Sequence, residues 1–327
     1  MKHKIHLWLL VVLIAGISVL FIYSKWRTGL SNSEYADAVT RNLKAIALDI
    51  PEKQEFAGEQ VPVDMFYLRE AFDRELITNV YWHSSTLFML KRAHRFFPVI
   101  EPILAKNHIP DDFKYIVVAE SNLTNAQSPS GAIGYWQFLK ATGMMYGLEI
   151  NDEIDERYNI EKATEAACRY LSDSYKNYNN WTLTAASYNS GPDNISKPMA
   201  AQKENNFYDL LLNPETSRYI YRILAIKEIF SDPAKYGFHY REKDLYPVIP
   251  VRKISIDSSI RDLGSFSHGL GINYKILKEF NPWLRKGSLT NKSRKVYVLD
   301  IPNREDLLYS KLIKSDSNKV EIGTKKE

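Results

Sequence analysis

The chain has 327 residues, of which 45% are apolar and 25% charged, so it can bury a globular core and is not disordered throughout. A formal net charge of +4 fits contact with an anionic wall or membrane surface and is too small to indicate nucleic-acid binding. The single cysteine, Cys168, excludes an internal disulfide, and its apolar helical setting indicates a buried thiol. The seven histidines lack the spacing of a zinc motif, so the sequence predicts neither a metal nor another cofactor.

The chain opens with an apolar run over about 7–23 that has basic residues on both sides. This run is just long enough to span a bilayer, and no small-x-small cleavage site precedes Lys25. We interpret residues 1–27 as an uncleaved signal anchor that holds the rest of the chain outside the cytoplasm, with a cleaved signal peptide as the alternative. Both interpretations place the protein in the cell envelope.

Residues 28–60 are polar and patternless and are predicted to form a linker or lead-in. From 61 to 235 apolar residues recur at helical spacing and strand patterns are scarce, which predicts a mainly α domain. The predicted helices cover about 63–77, 85–104, 110–121, 135–142, 155–178, 183–189 and 217–230.

The character of the sequence changes over 245–305. The segments VRKISID and KVYVLDIP are strand-like and enclose two short helical stretches, which predicts a small βααβ domain. The tail, 314–327, is polar and is predicted to be disordered.

One candidate for acid/base chemistry is Glu120, which lies at the end of the apolar helical segment VVAESNL. Burial at such a position raises the pKa of a carboxyl group and keeps it protonated, as a general acid requires. Cleavage of a glycosidic bond needs an acid of this kind. Taken alone, the segment is more typical of a solvated glutamate at a helix end.

Two further segments carry groups suited to sugars. In GAIGYWQF the glycines allow close backbone approach, Trp136 offers a stacking face and Gln137 offers hydrogen bonds. In AASYNSG, Tyr188 and Asn189 end a helix before Gly191. Alone, these segments are also consistent with a turn before a core aromatic and with an ordinary helix end.

Together the three segments resemble the lytic transglycosylase family whose catalytic domain has the soluble-lytic-transglycosylase, or goose-lysozyme-like, fold. The likeness consists of a Glu-Ser pair, then S-x-x-GAxGxWQF, then AAxYNxG, in that order. DERYNIEKATEAACRYL and PETSRY are similar to two more family segments, and IPDDFKYIVVAESNL resembles the membrane-bound lytic transglycosylase D group in particular. The resemblance covers about residues 64–232 and implies a mainly α, lysozyme-like catalytic domain at 61–235.

The resemblance also implies roles for single residues. Glu120 matches the catalytic acid/base, and Ser121 matches a residue that orients the substrate beside it. The other matching positions imply residues that line the sugar-binding cleft: Gln137, Tyr188, Asn189, Glu215 and Tyr219. Departures from the usual family residues at 135, 139–140 and 190 bear on the shape of the sugar subsites.

The 245–305 unit resembles a degenerate LysM domain. The segments FNP and LDIP carry the likeness, whereas the usual G-D-T-L opening is absent and Ser258-Ser259-Ile260 stands in its place. Binding of wall glycan and a purely structural role therefore both stay open for this unit.

The implied function is that of a peptidoglycan lytic transglycosylase, which cleaves the MurNAc-β-1,4-GlcNAc bond without hydrolysis and leaves 1,6-anhydroMurNAc ends during cell-wall remodelling. The alternatives are a hydrolytic muramidase and a non-catalytic peptidoglycan-binding envelope protein. The expected partners are peptidoglycan glycan strands and, through the N-terminal anchor, the membrane. The expected location of the catalytic domain is the bacterial periplasm.

Overall fold

The computed structural model describes residues 46–312. The predicted anchor at 1–27, most of the predicted lead-in and the predicted tail at 314–327 lie outside these residues. Within the described range, no helix is both long enough and apolar enough to cross a bilayer.

The larger part of the chain is mainly α, as the sequence predicts. Its helices are α1 Phe66–Tyr81, α2 His83–Lys106, α3 Lys114–Ser121, α4 Lys140–Met145, α5 Ile160–Tyr178, α6 Trp181–Ser190, α7 Asp193–Gln202 and α8 Pro214–Ser231. Helix α8 packs against α1, α3 and α6, and α5 packs against α2 and α6. The apolar faces of these helices form one continuous core.

The short helix α3 contacts both α2 and α8, so its apolar residues are enclosed. Ile116, Val117 and Val118 are fully buried. The helix ends where Asn122 adopts a left-handed conformation with φ 51° and donates its backbone N–H to the Val118 carbonyl. Glu120 therefore lies in the last turn of a helix whose body is buried in the core.

A β-hairpin precedes the helices and consists of β1, Gln54–Phe56, and β2, Glu59–Val61. Phe56 and Val61 are buried in the main core, so this part of the predicted lead-in belongs to the folded body. The two turn residues both have positive φ, as a type I′ turn requires. Strands of three residues are too short to give a periodic signal, which explains why the sequence pattern did not reveal them.

Other element boundaries also differ from the predictions. The helix expected at 135–142 is displaced to α4, and the residues before it form a loop. The helix expected from 155 begins at Ile160, because the Asn159 side chain accepts the Lys162 backbone N–H and caps it there. Helix α7 was not predicted, and Ile195 is its only buried residue.

The C-terminal unit (residues 245–305) has the predicted βααβ order. Strands β3, Val251–Ile256, and β4, Tyr297–Pro302, pair antiparallel and enclose α9, Leu263–Gly269, and α10, Tyr274–Phe280. The unit has its own apolar core, centred on fully buried leucines and isoleucines of these elements.

The C-terminal unit is joined to the helical body through backbone pairing. Ile154 forms a β-bridge with Leu284, and the Asp155 backbone N–H donates to the Trp283 carbonyl at 2.9 Å. The Glu153 carboxylate accepts the Thr290 backbone N–H at 2.7 Å. The C-terminal unit therefore holds residues 153–155, which lie just before α5, in place.

We expect Glu59→Gln to lower the free energy of unfolding by about 1–3 kcal/mol. The Glu59 carboxylate accepts the backbone N–H groups of Trp181 and Thr182, at 2.6 and 2.9 Å, and so fastens the hairpin to the start of α6. The measurement is denaturant unfolding. Glu55→Gln is the control in the same hairpin, because the Glu55 side chain is exposed, and equal losses in both variants would contradict the prediction.

Candidate active site

The carboxyl group of Glu120 lies at the carboxyl end of α3, facing α8. The Tyr219 hydroxyl donates a hydrogen bond of 2.6 Å to Glu120 Oε1. Burial raises the pKa of Glu120 above its ordinary value, while the Tyr219 hydrogen bond and the positive charge of Arg222 oppose that shift. Glu215 raises the pKa further through its negative charge. The site thus favours the protonated acid and still provides groups that stabilise the carboxylate.

Tyr188 lies near the same carboxyl group. Burial raises its pKa well above the ordinary value, and the negative charge of Glu120 contributes to this increase. Its hydroxyl donates to the Trp136 carbonyl at 2.7 Å, and its ring packs edge-on against Trp136, Phe138 and Tyr170. This aromatic packing fixes the position of Tyr188 and connects helix α6 to the loop that follows Glu120.

That loop, residues 122–139, is held by Arg157. The buried guanidinium forms a two-point pair with the Asp155 carboxylate, at 2.9 and 2.7 Å, and donates to the carbonyls of Gly131 and Phe138. A Cβ at Gly134 would lie 1.9 Å from the Arg157 carbonyl oxygen, and Gly134 has a φ of 85°. Glycine is therefore required there, because neither the space nor the backbone conformation accepts a side chain.

Gln137 is fixed within the 122–139 loop. It has a positive φ of 51°, and its Nε2 donates to the carbonyls of Ala126 and Gly134 at 3.0 and 2.7 Å. These bonds occupy both amide hydrogens and leave the side-chain carbonyl as the group that can accept from a sugar.

The stacking face expected of Trp136 is absent. Trp136 is fully buried, and its indole N–H donates to the Thr164 hydroxyl at 2.8 Å. The expectation was wrong because a side chain with no exposed surface cannot stack on a ligand. Trp136 instead fixes the 122–139 loop to helix α5.

The remaining predicted site residues take different positions. The Ser121 hydroxyl is buried and donates to the Val117 carbonyl at 3.0 Å, within its own helix. Asn189 Oδ1 accepts from the Thr216 hydroxyl at 3.2 Å, which links the end of α6 to the first turn of α8. Glu215 is exposed in that turn and affects Glu120 through its charge alone.

Arg222 was not identified from the sequence. It lies one helical turn after Tyr219 on α8, and its charge favours the ionised form of Glu120. Glu75 is almost fully buried and lies 2.6 Å from Arg218 and 3.8 Å from Arg222. The four-residue spacing of Arg218 and Arg222 places both on one face of α8, and this spacing was the sequence signal that could have identified them. Their acidic partner is on a distant helix and could not be assigned from the pattern.

In the described part of the chain, no group of three or more His, Cys, Asp or Glu side chains is placed to hold a metal ion. What the site offers is one carboxyl group that is partly removed from water, with phenol and guanidinium groups around it. Such an arrangement can donate a proton to a leaving group and then recover one.

Comparison with known proteins bears on this arrangement. Residues 97–211 match the family model of the transglycosylase SLT domain, and this range contains Glu120, the 122–139 loop and Tyr188. Residues 252–305 match the soluble lytic transglycosylase C-terminal LysM-like domain. Both matches confirm the resemblance that the sequence motifs indicated.

Two curated relatives of this chain are the membrane-bound lytic murein transglycosylases D of Escherichia coli K12 and of Escherichia coli O6:H1. Each is 28% identical over 251 residues, which cover 75% of this chain and 54% of the relative. The chain therefore spans about half the length of the curated relatives it matches.

We expect Tyr219→Phe to raise the pKa of Glu120, because the hydrogen bond that is lost stabilises the charged form. The pKa can be followed by infrared difference titration of the carboxyl band against Glu120→Gln. Tyr221→Phe, on the same helix, is the control and should leave the titration unchanged. A Glu120 pKa that stays the same or falls in Tyr219→Phe would contradict the expected direction.

Arg157→Lys should lower the free energy of unfolding by about 2–4 kcal/mol, because one ammonium group cannot replace a two-point pair and two carbonyl bonds. Amide hydrogen exchange should also accelerate in the 122–139 loop. Arg169→Lys is the control, since Arg169 is exposed and bonds only the Tyr146 carbonyl. Unchanged exchange in Arg157→Lys would show that Arg157 does not hold the loop.

Proposed function

We propose that this protein is a peptidoglycan lytic transglycosylase that cleaves the MurNAc-β-1,4-GlcNAc bond without hydrolysis. The observation that carries the proposal is the setting of Glu120: burial favours its protonated form, and the Tyr219 hydroxyl contacts it at 2.6 Å. The match to the transglycosylase SLT domain supports the same conclusion.

In the proposed reaction Glu120 first donates its proton to the glycosidic oxygen, because an alkoxide is a poor leaving group. The bond from muramyl C1 to that oxygen breaks, and positive charge develops at C1. The ionised Glu120 then removes the proton from the C6 hydroxyl of the same muramyl residue, whose oxygen bonds to C1. The products are a GlcNAc end and a 1,6-anhydroMurNAc end, and Glu120 regains its proton.

The surroundings of Glu120 suit both steps. Burial raises the pKa of Glu120 and so favours the acid form before cleavage, and the Tyr219 hydrogen bond and the Arg222 charge stabilise the carboxylate after proton transfer. A single carboxyl group suffices when the substrate supplies its own nucleophile.

The other site residues are proposed to hold the sugar. Gln137 offers its free carbonyl oxygen, and Tyr188 and Asn189 are proposed to line one side of the sugar-binding cleft. Ser121 can orient the substrate only if its hydroxyl turns away from the Val117 carbonyl that it now contacts. Glu215 is exposed at the start of α8 and can accept hydrogen bonds from sugar hydroxyls.

We further propose an envelope location, with the SLT domain in the periplasm and residues 1–27 as the membrane anchor. Two relatives carry membrane-bound in their names, which supports this arrangement. The domain limits proposed from the sequence are 61–235 for the catalytic part and 245–305 for the LysM-like part. The hairpin at 54–61 packs into the helical core, so the folded body begins before residue 61.

We expect Glu120→Gln to lower digestion of purified sacculi at least about a thousandfold, because the amide cannot donate the required proton. Mass spectrometry of the muropeptides released by the unaltered protein should show anhydromuramyl ends, which lack one water relative to hydrolytic products. Glu204→Gln, which alters an exposed carboxylate that is not among the site residues, serves as the control.

Each contrary outcome has a distinct meaning. Undiminished digestion by Glu120→Gln would refute the role of Glu120. Digestion that yields only hydrated muramyl ends would establish a hydrolytic muramidase instead. Absence of digestion by the unaltered protein, with retained binding to sacculi, would indicate a non-catalytic wall-binding protein.

A further inference from the structure

The carboxyl group of Glu75 is buried where α1 packs against α8. Only 1% of the Glu75 surface is exposed, and a glutamate is rarely buried to this extent unless it is paired. Arg218 Nε donates to Glu75 Oε1 at 2.6 Å, and Arg222 Nε lies 3.8 Å from Glu75 Oε2. One buried carboxylate of α1 therefore faces two guanidinium groups of α8.

This cluster adjoins Glu120. Tyr219, which donates to Glu120 Oε1 at 2.6 Å, directly follows Arg218, and Arg222 lies one helical turn further on. Residues three or four positions apart on a helix are neighbours on one face. Glu75 and Glu120 thus contact adjacent residues of α8, the first from α1 and the second from α3.

The charges of this cluster do not balance. Two guanidinium groups share the carboxylate of Glu75, and in the part of the chain that the structure describes neither arginine forms an ion pair with another carboxylate. One positive charge is therefore left over. The charge of Arg222 acts on Glu120 and favours its ionised form, so the carboxylate that remains after proton transfer is the anion that the cluster lacks.

Attraction to Glu75 opposes the repulsion between the two arginines. Like charges four residues apart on a helix repel each other, and the Arg222 side chain is 36% exposed, so water is accessible to it. A guanidinium group that turned into water would be screened by solvent and would act less on Glu120. The ion pair with Glu75 keeps the Arg222 charge on the face of α8 that carries Tyr219.

We propose that Glu75 is a positioning residue of the active site, whose buried carboxylate holds the Arg222 guanidinium where its positive charge stabilises the ionised form of Glu120. This role rests on the proposed function, because it concerns the proton that Glu120 gives up and regains. Glu75 itself does not contact the substrate in this proposal and acts only through Arg222.

Other charged or titratable groups near the carboxyl end of α3 come from α2, α6 and α8, whereas the 122–139 loop carries no charged residue. Among residues 46–312, Arg222 is the one group acting on Glu120 that also forms an ion pair with Glu75. A change at Glu75 is therefore expected to reach Glu120 through Arg222. The other groups are Tyr219 and Glu215 of α8, Tyr188 of α6, and Arg92 of α2, which donates to the Asn122 carbonyl at 3.1 Å.

The test is infrared difference titration of the Glu120 carboxyl band in Glu75→Gln, with the band assigned by Glu120→Gln. We expect the pKa of Glu120 to rise, because release of Arg222 removes a charge that stabilises the carboxylate. The sign of the shift is decisive, since removal of the negative charge of Glu75 alone would lower this pKa. Glu70→Gln alters an exposed glutamate of the same helix and is the control, whose titration should match that of the unaltered protein.

Two further variants test whether the effect passes through Arg222. Glu75→Asp keeps the charge, withdraws it by one methylene and disturbs the buried pair less, so it should raise the pKa of Glu120 by less than Glu75→Gln does. Arg222→Gln should also raise this pKa, and the addition of Glu75→Gln to it should cause no further rise. Circular dichroism establishes which variants are folded, and Glu75→Asp decides the result if Glu75→Gln is not.

The pH profile of sacculus digestion gives a second readout. Digestion requires protonated Glu120, so the alkaline limb of the profile follows the pKa of this group. In Glu75→Gln that limb should move to higher pH. A purely structural role for Glu75 would lower the rate without moving the limb.

Two results would overturn the positioning role. These are a Glu120 pKa that stays the same or falls in the folded Glu75 variants, and a further rise when Glu75→Gln is added to Arg222→Gln. The titration needs no substrate, so it is measured separately from digestion. Undiminished digestion by Glu120→Gln would count against the proposed function alone, whereas an unchanged titration in the Glu75 variants would count against the positioning role alone.

Discussion

The buried guanidinium of Arg157 connects parts of the molecule that are separate in the sequence. It pairs with Asp155 and holds two carbonyls of the 122–139 loop, and its own carbonyl fills the space that a side chain at Gly134 would need. The Asp155 backbone also donates to Trp283 of the C-terminal unit. The 122–139 loop beside Glu120 and the junction with the C-terminal unit therefore depend on the same short segment.

The chemistry proposed for Glu120 requires two opposing influences on one carboxyl group. Removal from water favours the neutral acid, whereas the phenol of Tyr219 and the guanidinium of Arg222 favour the anion. A site with burial alone would hold its proton too firmly, and a site with the hydrogen bond alone would lose it before substrate arrived. The packing of α3 against α8 produces both influences, because α3 carries the acid and α8 carries both of the groups that oppose burial.

Much of the architecture could be predicted because helical periodicity and short motifs are local properties. The mainly α class, the βααβ order and the position of Glu120 at a helix end follow from neighbouring residues alone. The hairpin at 54–61 could not be found in this way, since its stability comes from contacts with α6 more than a hundred residues away. For the same reason the sequence did not reveal the roles of Arg157 and Arg222, and it made Trp136 appear available for stacking. The residues that each side chain contacts are determined only by the tertiary fold.

The single thiol of the chain is enclosed between α5 and α2. Burial raises the pKa of Cys168 to about 12, so almost none of it is thiolate at neutral pH, and thiolate is the form that attacks disulfides and alkylating reagents. An oxidising envelope would consequently leave the folded protein without covalent dimers. A cysteine engineered onto the surface would be the only readily alkylated position, so one label could be attached there without modification of the native thiol.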